Sequence, residues 1–238
     1  MLISGYFICK SQMSWRKLFN LIMQVEFYNI LKTIFALKLG WINFNSMSLS
    51  QTIMHFLPMI NATYWFITCY LLSPYLNKTV NTLKQADFRK MLLVLLVLYS
   101  ILPTLFGFLR VGYDLVERMF FYNRFIWLTI VYLIGAYLRN YYDHNKANEL
   151  KINLKKLVLV AVMVPISIVM FYVLNKKSGF GIELAYFWPP NTIQIIILSV
   201  VVFKTFLSLK IKSIPAINFL ASASLAVYLL HSGAFAGE

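Results

Sequence analysis

Glu26 is the residue of this chain whose position most strongly demands a functional explanation. It lies nine residues into an apolar run, Lys17–Lys38, that is long enough to cross a membrane. A short acidic side chain cannot extend from there to water, so a partner or a polar cavity is expected, and ionisable residues at such positions commonly mark substrate pathways. The structural alternative is an interhelical ion pair with Lys32 or another basic group.

Arg16 and Lys17 stand at the start of this run and could bind phosphate. An arginine side chain offers two parallel N–H groups to a phosphate, and a lysine adds a second positive charge. The pair would suit the phosphates of a cytosolic cofactor. Basic residues at the end of an apolar run are also common topology anchors of membrane proteins, so both explanations stay open.

His231 and Tyr228 lie near the end of the last apolar run, Ile214–Phe235. An imidazole titrates close to neutral pH, so His231 could act as a general base or as a hydrogen-bond donor beside Tyr228. The alternative is a structural or interfacial histidine at a helix end.

The elements that must position these residues are membrane helices. Hydrophobic residues make up 60% of the 238-residue chain, charged residues 13%, and the mean hydropathy is +0.71, which is more apolar surface than a soluble domain buries. Backbone groups in lipid need internal hydrogen bonds, and the apolar runs show no two-residue alternation. The sequence therefore predicts an all-α, polytopic transmembrane helix bundle.

We expect one integral membrane domain over residues 1–238, with about seven full spans after a partial N-terminal span. Prolines near or inside these runs predict kinked or broken helices at Pro58, Pro74, Pro103, Pro165 and Pro215. The apolar runs are Met1–Cys9, Lys17–Lys38, Tyr64–Asn77, Met91–Leu109, Phe125–Tyr142, Leu157–Leu174, Asn191–Leu209 and Ile214–Phe235.

Lysine and arginine alternate between rich and poor loops, which predicts the orientation. Placing the Lys10–Lys17 segment in the cytoplasm puts 15 of the 22 basic residues on the cytoplasmic side, as the positive-inside rule favours. The cytoplasmic segments are then Lys10–Lys17, Lys78–Lys90, Arg139–Lys156 and Lys204–Lys212. We expect a multi-pass protein of a bacterial-type cytoplasmic membrane, in contact with its lipids.

Two segments on the opposite side look unlike simple connections. The first, Leu39–Thr63, could dip back into the membrane or lie at its surface. The second, Arg110–Arg124, mixes charged residues with aromatics such as Tyr113 and Phe120. Its side chains, Arg124 among them, suit contact with a sugar or a lipid headgroup, although aromatic belts occur at the surface of most membrane proteins.

Several other functions are disfavoured by the sequence. The formal charge is +14, but the basic residues form no continuous stripe, so no nucleic-acid partner is expected. Cys9 and Cys69 lie inside apolar runs and predict buried thiols, not a disulfide framework or a zinc site. We find no glycine-rich phosphate loop, no nucleophile elbow and no cluster at metal-ligand spacing, so no metal is expected.

Five stretches spread over essentially the whole chain carry a family resemblance. They are Leu2–Phe7 (LISGYF), Tyr64–Asn77 (YWFITCYLLSPYLN), Arg124–Arg139 (RFIWLTIVYLIGAYLR), Leu209–Ser222 (LKIKS, then INFLAS) and Leu225–His231 (LAVYLLH). In this order they resemble five segments of the membrane-bound acyltransferase 3 family, in its polysaccharide O-acetyltransferase branch.

The resemblance implies an enzyme that transfers an acyl group, commonly acetyl, from cytosolic acyl-CoA to a sugar hydroxyl. The acceptor would be a cell-surface or capsular polysaccharide or its lipid-linked precursor. Acetyl-CoA would be a donor substrate, with no permanently bound cofactor. Arg16 and Lys17 match the basic entry to the family's third helix and would bind CoA phosphates. Trp65 would line the acceptor site, and Tyr228 with His231 would serve the outer face.

One departure from the family limits this prediction. The family's expected base is a histidine on its first helix, paired with an upstream arginine, and neither can be assigned to a residue here. We therefore expect a fragment of a longer protein with weak or no activity of its own. The alternatives are a polysaccharide-unit transporter or flippase, a polysaccharide polymerase, or a non-catalytic membrane protein. A transporter should show paired halves, and a polymerase a larger arginine-rich external loop, and the sequence shows neither.

Overall fold

The computed structural model describes residues 1–11, 15–40, 65–109, 124–142, 149–178 and 191–209, with isolated positions at 214, 215, 218, 219 and 227. Every regular element in these ranges is helical, which confirms the all-α prediction. The elements are α1 (Leu2–Ile8), α2 (Trp15–Lys38), α3 (Trp65–Leu71), α4 (Ser73–Thr82), α5 (Gln85–Leu96), a π-helical turn (Val97–Ile101), α6 (Leu102–Leu109), α7 (Arg124–Tyr141), α8 (Glu149–Ser178) and α9 (Ile193–Ser208).

The chain divides into two compact units. Unit 1 comprises Met1–Phe7 and Thr79–Ile211, and unit 2 comprises Ile8–Lys78 and Lys212–Glu238. Most of the described helices, from α5 to α9, belong to unit 1. The organisation of residues 1–238 as one domain stays a prediction.

Two helical stretches of unit 1 are long and apolar enough to cross a membrane. They are Gln85–Leu105, which runs from α5 through the π-turn into α6, and Leu150–Met170 within α8. Only 17% of each stretch is buried in the structure, whereas the core helix of a soluble protein would be mostly covered. The apolar helix α9 is shorter, at 16 residues. The full count of seven spans stays a prediction.

The helix boundaries follow the apolar runs, with two informative differences. Helix α8 begins at Glu149, eight residues before the predicted Leu157, because the lysines and leucines of its first turns are good helix formers. The run Tyr64–Asn77 is divided into α3 and α4 at Leu72. Pro74 has no N–H to continue the first helix but suits the first turn of the second. This break confirms the proline-based expectation there, whereas α8 continues past Pro165.

Pro103 explains the irregular segment between α5 and α6. Within the π-turn the Leu102 N–H bonds the Val97 carbonyl, five residues back. In a regular helix the Tyr99 carbonyl would receive the N–H of residue 103, which proline lacks. The Asn191 side-chain amide donates to that carbonyl instead, at 3.3 Å. Because Pro103 in α6 leaves this carbonyl free, it is bonded by Asn191, two residues before the start of α9.

Two glycines allow α1 and α7 to cross in direct backbone contact. A methyl group on Gly5 would overlap the carbonyl oxygen of Tyr132, and one on Gly135 would overlap that of Leu2. Small residues permit this kind of close approach in membrane helix pairs. The crossing fixes α1 against α7 within unit 1 and brings together two of the segments that carry the family resemblance.

Hydrogen bonds and ring contacts show which helix ends lie together in unit 1. The Tyr141 hydroxyl donates to the Leu83 carbonyl at 3.1 Å, and the Asn153 amide donates to the Ser208 hydroxyl at 3.4 Å. The Lys204 ammonium on α9 lies over the ring of Tyr142, which directly follows α7, and so joins the two pairs. The start of α5, the end of α7, the start of α8 and the end of α9 therefore form one end, which we call the basic end. These are segments that the charge pattern assigned to a single side of the membrane.

Candidate functional site

The basic end of unit 1 concentrates positive charge from four helices and the residue before α5. All of its basic residues are exposed except Lys204, which is half-buried. Clustered lysines and arginines attract multiply charged anions, and arginine binds phosphate with two hydrogen bonds. The basic residues of this end are Lys84, Arg89, Lys90, Arg139, Lys151, Lys155, Lys156 and Lys204. The charge of this surface therefore suits a polyphosphate group.

Arg139 is held over a buried tyrosine at this end. Its guanidinium carbon lies 5.1 Å from the centroid of the Tyr6 ring, and one of its nitrogens donates to the Tyr6 hydroxyl at 3.4 Å. The Phe203 ring packs edge-on against Tyr6 with centroids 5.2 Å apart. A cation on an aromatic face keeps its charge while its direction is restricted. Arg139 is thus an oriented, exposed guanidinium.

A second cation–ring pair lies beside a polar network on α8 and α9. The Lys204 ammonium lies 4.1 Å from the centroid of the Tyr142 ring. Asn153 is buried, and its side-chain amide donates to the Ser208 hydroxyl while its backbone carbonyl accepts from the Thr205 hydroxyl at 3.4 Å. These bonds fix the end of α9 and hence the backbone that carries Lys204.

Arg16 and Lys17 lie in the first turn of α2, in unit 2, and both side chains are exposed. Unbonded backbone N–H groups at a helix start attract anions, and the two cationic side chains add to that attraction. Leu18, the next residue, is buried, so the turn is anchored on its other face. The phosphate-binding role of this pair stays a prediction.

Glu26 is half-buried on α2, at the edge of a buried polar stripe. Asn29 and Thr33, three and seven residues further on, are both buried, as is Lys32. The Thr33 hydroxyl donates to the backbone carbonyl of Asn29 at 2.9 Å, within the same helix. Because residues at these spacings share one helix face, Glu26 extends a polar surface of α2. Its partner and its role stay predictions.

The other predicted site residues lie partly or wholly outside the part of the chain that the structure describes. Trp65 and Arg124 are the first residues of α3 and α7, but their side chains lie outside the described set. Tyr228 and His231 lie entirely outside it, as do the segments Leu39–Thr63 and nearly all of Arg110–Arg124. The roles assigned to these residues stay predictions.

The opposite end of unit 1, which we call the bulge end, holds neutral polar groups. It consists of the π-turn with residues 102–104 and the start of α9 with residues 191–194. The Ile193 N–H donates to the Thr104 hydroxyl at 3.3 Å, and that hydroxyl donates to the Ser100 carbonyl at 2.6 Å. Two buried atoms here, Ser100 Oγ and Gln194 Oε1, have no hydrogen-bond partner.

Sequence analysis did not single out Tyr6, Arg139 or the bulge end. Tyr6 and Arg139 each belong to a segment that resembles the family, but their pairing depends on a helix crossing that no local pattern reveals. The signal for the bulge end was Pro103, since the carbonyl four residues before a proline needs another donor. Cys9 and Cys69 are buried thiols, as predicted.

A family model described as an acyltransferase domain matches residues 1–236, nearly the whole chain. No curated protein and no solved structure matches the sequence. The matched region includes the basic end, the bulge end and the first turn of α2, so every polar feature described above lies within it.

Proposed function

The chain belongs to the acyltransferase 3 family, and from that membership we propose that it is a multi-pass membrane O-acyltransferase of a bacterial-type cytoplasmic membrane. It moves an acyl group, such as acetyl, from acyl-CoA to a sugar hydroxyl. The acceptor is a cell-surface or capsular polysaccharide or its lipid-linked precursor. The family match over residues 1–236 is the observation that carries the proposal, and it favours a transferase over the transporter, the polymerase and the non-catalytic protein.

The reaction is a transfer between two nucleophiles. The sugar hydroxyl oxygen attacks the thioester carbonyl carbon, a C–O bond forms, and the C–S bond breaks to release the CoA thiolate. The hydroxyl proton passes to a base, and the thiolate takes up a proton. His231, with Tyr228 beside it, is our candidate for the base. Glu26 is the candidate for a charged group within the membrane.

The donor explains the positive surfaces of both units. CoA carries a diphosphate and a further phosphate, which form charge-assisted hydrogen bonds with arginine and lysine. Arg139 at the basic end of unit 1 and the Arg16–Lys17 pair of unit 2 are the two candidate phosphate sites. We propose that Trp65 and Arg124 contact the sugar acceptor, because aromatic faces and guanidinium groups both suit a polyhydroxylated ring.

Acyl transfer can be measured directly in membranes. The chain is expressed as its 238 residues, and also with any in-frame coding sequence upstream of Met1, in cells that lack the native enzyme. Membranes receive acetyl-CoA labelled in the acetyl group, and alkali-labile label is measured on the surface polysaccharide. We expect label with the upstream-extended form, weak or no label with the 238 residues alone, and none with empty membranes. Absence of label with both forms would contradict the proposal.

The double variant Arg16→Ala with Lys17→Ala tests the donor site of unit 2. We expect its KM for acetyl-CoA to rise about tenfold, since charge-assisted hydrogen bonds to phosphate are lost. The control is Lys38→Ala, which removes an exposed charge from the last turn of the same helix. An equal rise in the control would assign the effect to overall charge and not to the pair.

A further inference from the structure

The bulge end contains two polar atoms that the protein itself leaves without a partner. Ser100 is fully buried, with 0% of its surface exposed, and its hydroxyl oxygen has no hydrogen bond. The side-chain carbonyl oxygen of Gln194 is likewise buried and unbonded. Leaving such groups unpaired is unfavourable, so each one in a folded protein needs an explanation, such as a bound molecule.

These two atoms come from different helices that the structure ties together. Thr104 receives a hydrogen bond from the Ile193 N–H and gives one to the Ser100 carbonyl. One side chain thus joins the residue before Gln194 to Ser100. The bond from Asn191 to the Tyr99 carbonyl makes a second link, one residue from Ser100. The two unpaired atoms therefore belong to one connected polar region.

The local backbone is also irregular inside a helical stretch that is long and apolar enough to cross a membrane. Ser100 lies 15 residues after the start of α5, or about 22 Å along the helix from the basic end. It belongs to the π-turn Val97–Ile101. Single π-turns inside helices occur frequently at functional sites, and irregular backbone at membrane depth is tolerated where it is buried in protein or lines a cavity.

The chemistry of the region selects a neutral ligand. Residues 97–104 and 191–197 include no charged side chain. The Gln194 oxygen only accepts hydrogen bonds, so it disfavours an anion, and no carboxylate is present in these residues to hold a cation. A hydroxyl group, which both donates and accepts, matches the Gln194 oxygen and the Ser100 hydroxyl together.

We propose that the bulge end binds hydroxyl groups of the sugar acceptor, with Gln194 Oε1 accepting a hydrogen bond from one hydroxyl and Ser100 Oγ bonded to the same or the next hydroxyl. The identity of the ligand as the acceptor rests on the proposed acyltransferase function. The acceptor then lies at the bulge end of unit 1, opposite the basic end. A buried water molecule has the same hydroxyl chemistry, and the experiment separates the two.

The first measurement is kinetic. Ser100→Ala removes the hydroxyl group and Gln194→Leu removes the side-chain amide, each with little change in volume. We expect the KM for the acceptor to rise about five- to tenfold in each, because one hydrogen bond is lost, while the KM for acetyl-CoA stays unchanged. The matched control is Ser167→Ala, since the Ser167 hydroxyl is bonded within its own helix to the Val164 carbonyl at 2.7 Å.

The second measurement requires no acyl transfer. The purified full chain in detergent is heated with and without neutral methyl glycosides, the probes for a sugar hydroxyl. We expect the wild type and Ser167→Ala to gain thermal stability from at least one methyl glycoside, and both site variants to lose that gain. If no methyl glycoside stabilises the wild type and Ser100→Ala raises Tm unaided, the atoms belong to a water site or a packing defect, and the inference is overturned.

The two measurements separate this inference from the proposed function. Stabilisation that both site variants lose, in a protein that transfers no acyl group, would leave the hydroxyl site standing and remove the acyltransferase assignment. Acyl transfer with an unchanged acceptor KM in both site variants would leave the enzyme standing and remove the site.

Discussion

The polar groups at the two ends of unit 1 differ in charge and in burial. At the basic end the groups are charged and mostly exposed, and the two that pack do so on aromatic rings, Arg139 on Tyr6 and Lys204 on Tyr142. At the bulge end the groups are neutral and buried, and two of them lack a partner. Charges are inexpensive at a membrane surface, whereas only neutral polar groups are readily accommodated at depth.

Under the proposals above, this difference separates two kinds of ligand within one unit. A surface of exposed cations suits the phosphates of a CoA donor, and a buried neutral region suits the hydroxyls of a sugar. An acyltransferase with the proposed substrates needs both kinds of site, because acyl-CoA is anionic and a sugar hydroxyl is neutral. Variants that act at only one end therefore test the comparison directly.

The largest effect is expected at the crossing of α1 and α7, which supports the basic end. In Gly135→Ala the added methyl group overlaps the Leu2 backbone, which cannot move aside as a side chain would. We expect a loss of about 3 kcal/mol in the free energy of unfolding, at the upper part of the usual range for overpacking. Thermal or denaturant unfolding in detergent measures it. The control is Ala161→Val on the exposed face of α8, and equal losses in both would argue against the close crossing.

The next largest effect concerns the bulge end and its proline. Asn191→Ala leaves the Tyr99 carbonyl without its donor and should cost about 2 kcal/mol of unfolding free energy. Pro103→Ala restores a backbone N–H that can serve the same carbonyl. In that background we expect Asn191→Ala to cost close to nothing. The double-mutant cycle of these two positions measures the coupling, and additive losses would show that Pro103 does not create the need for Asn191.

A smaller effect is expected from the oriented arginine of the basic end. Arg139→Ala should raise the KM for acetyl-CoA by about three- to tenfold, less so at high salt, because an exposed charge-assisted contact is screened. The acceptor KM should not change. Arg89→Ala removes an equally exposed charge from the same end. If it has the same effect as Arg139→Ala, the donor responds to the total charge of this surface and not to the orientation of Arg139.

The smallest effect is expected at the second cation–ring pair. Lys204→Met keeps most of the aliphatic stem but removes the ammonium from the Tyr142 ring, at a cost of about 0.5–1 kcal/mol in unfolding free energy. The comparison variant is Lys156→Met on the exposed start of α8, which should be neutral. A loss larger than that of Asn191→Ala would mean that the basic end contributes more to stability than the buried polar bonds of the bulge end.

Much of the helical architecture could be predicted from the sequence, because lipid leaves few choices for an apolar run. The runs beginning at Phe125 and Asn191 correspond to α7 and α9 within two residues at each end. The alternation of basic loops grouped Lys84, Arg139 and Lys204, and the structure brings their helices to one end. Pro74 predicted the break that separates α3 from α4.

The functional detail depended on tertiary contacts that no local pattern contains. The pairing of Tyr6 with Arg139 spans 133 residues and requires the Gly5–Gly135 crossing. The link from Ser100 through Thr104 to the start of α9 joins residues 89 positions apart, Thr104 and Ile193. The catalytic assignments of His231 and Tyr228 rest on sequence resemblance and stay predictions.

The most direct test of the division between the two ends is one kinetic comparison in membranes that transfer labelled acetyl groups to polysaccharide. The KM values for acetyl-CoA and for the acceptor are measured in Arg139→Ala and in Ser100→Ala. We predict that Arg139→Ala raises only the KM for acetyl-CoA and that Ser100→Ala raises only the KM for the acceptor. Variants that change the same constant, or neither constant, would contradict the assignment of donor and acceptor to opposite ends of unit 1.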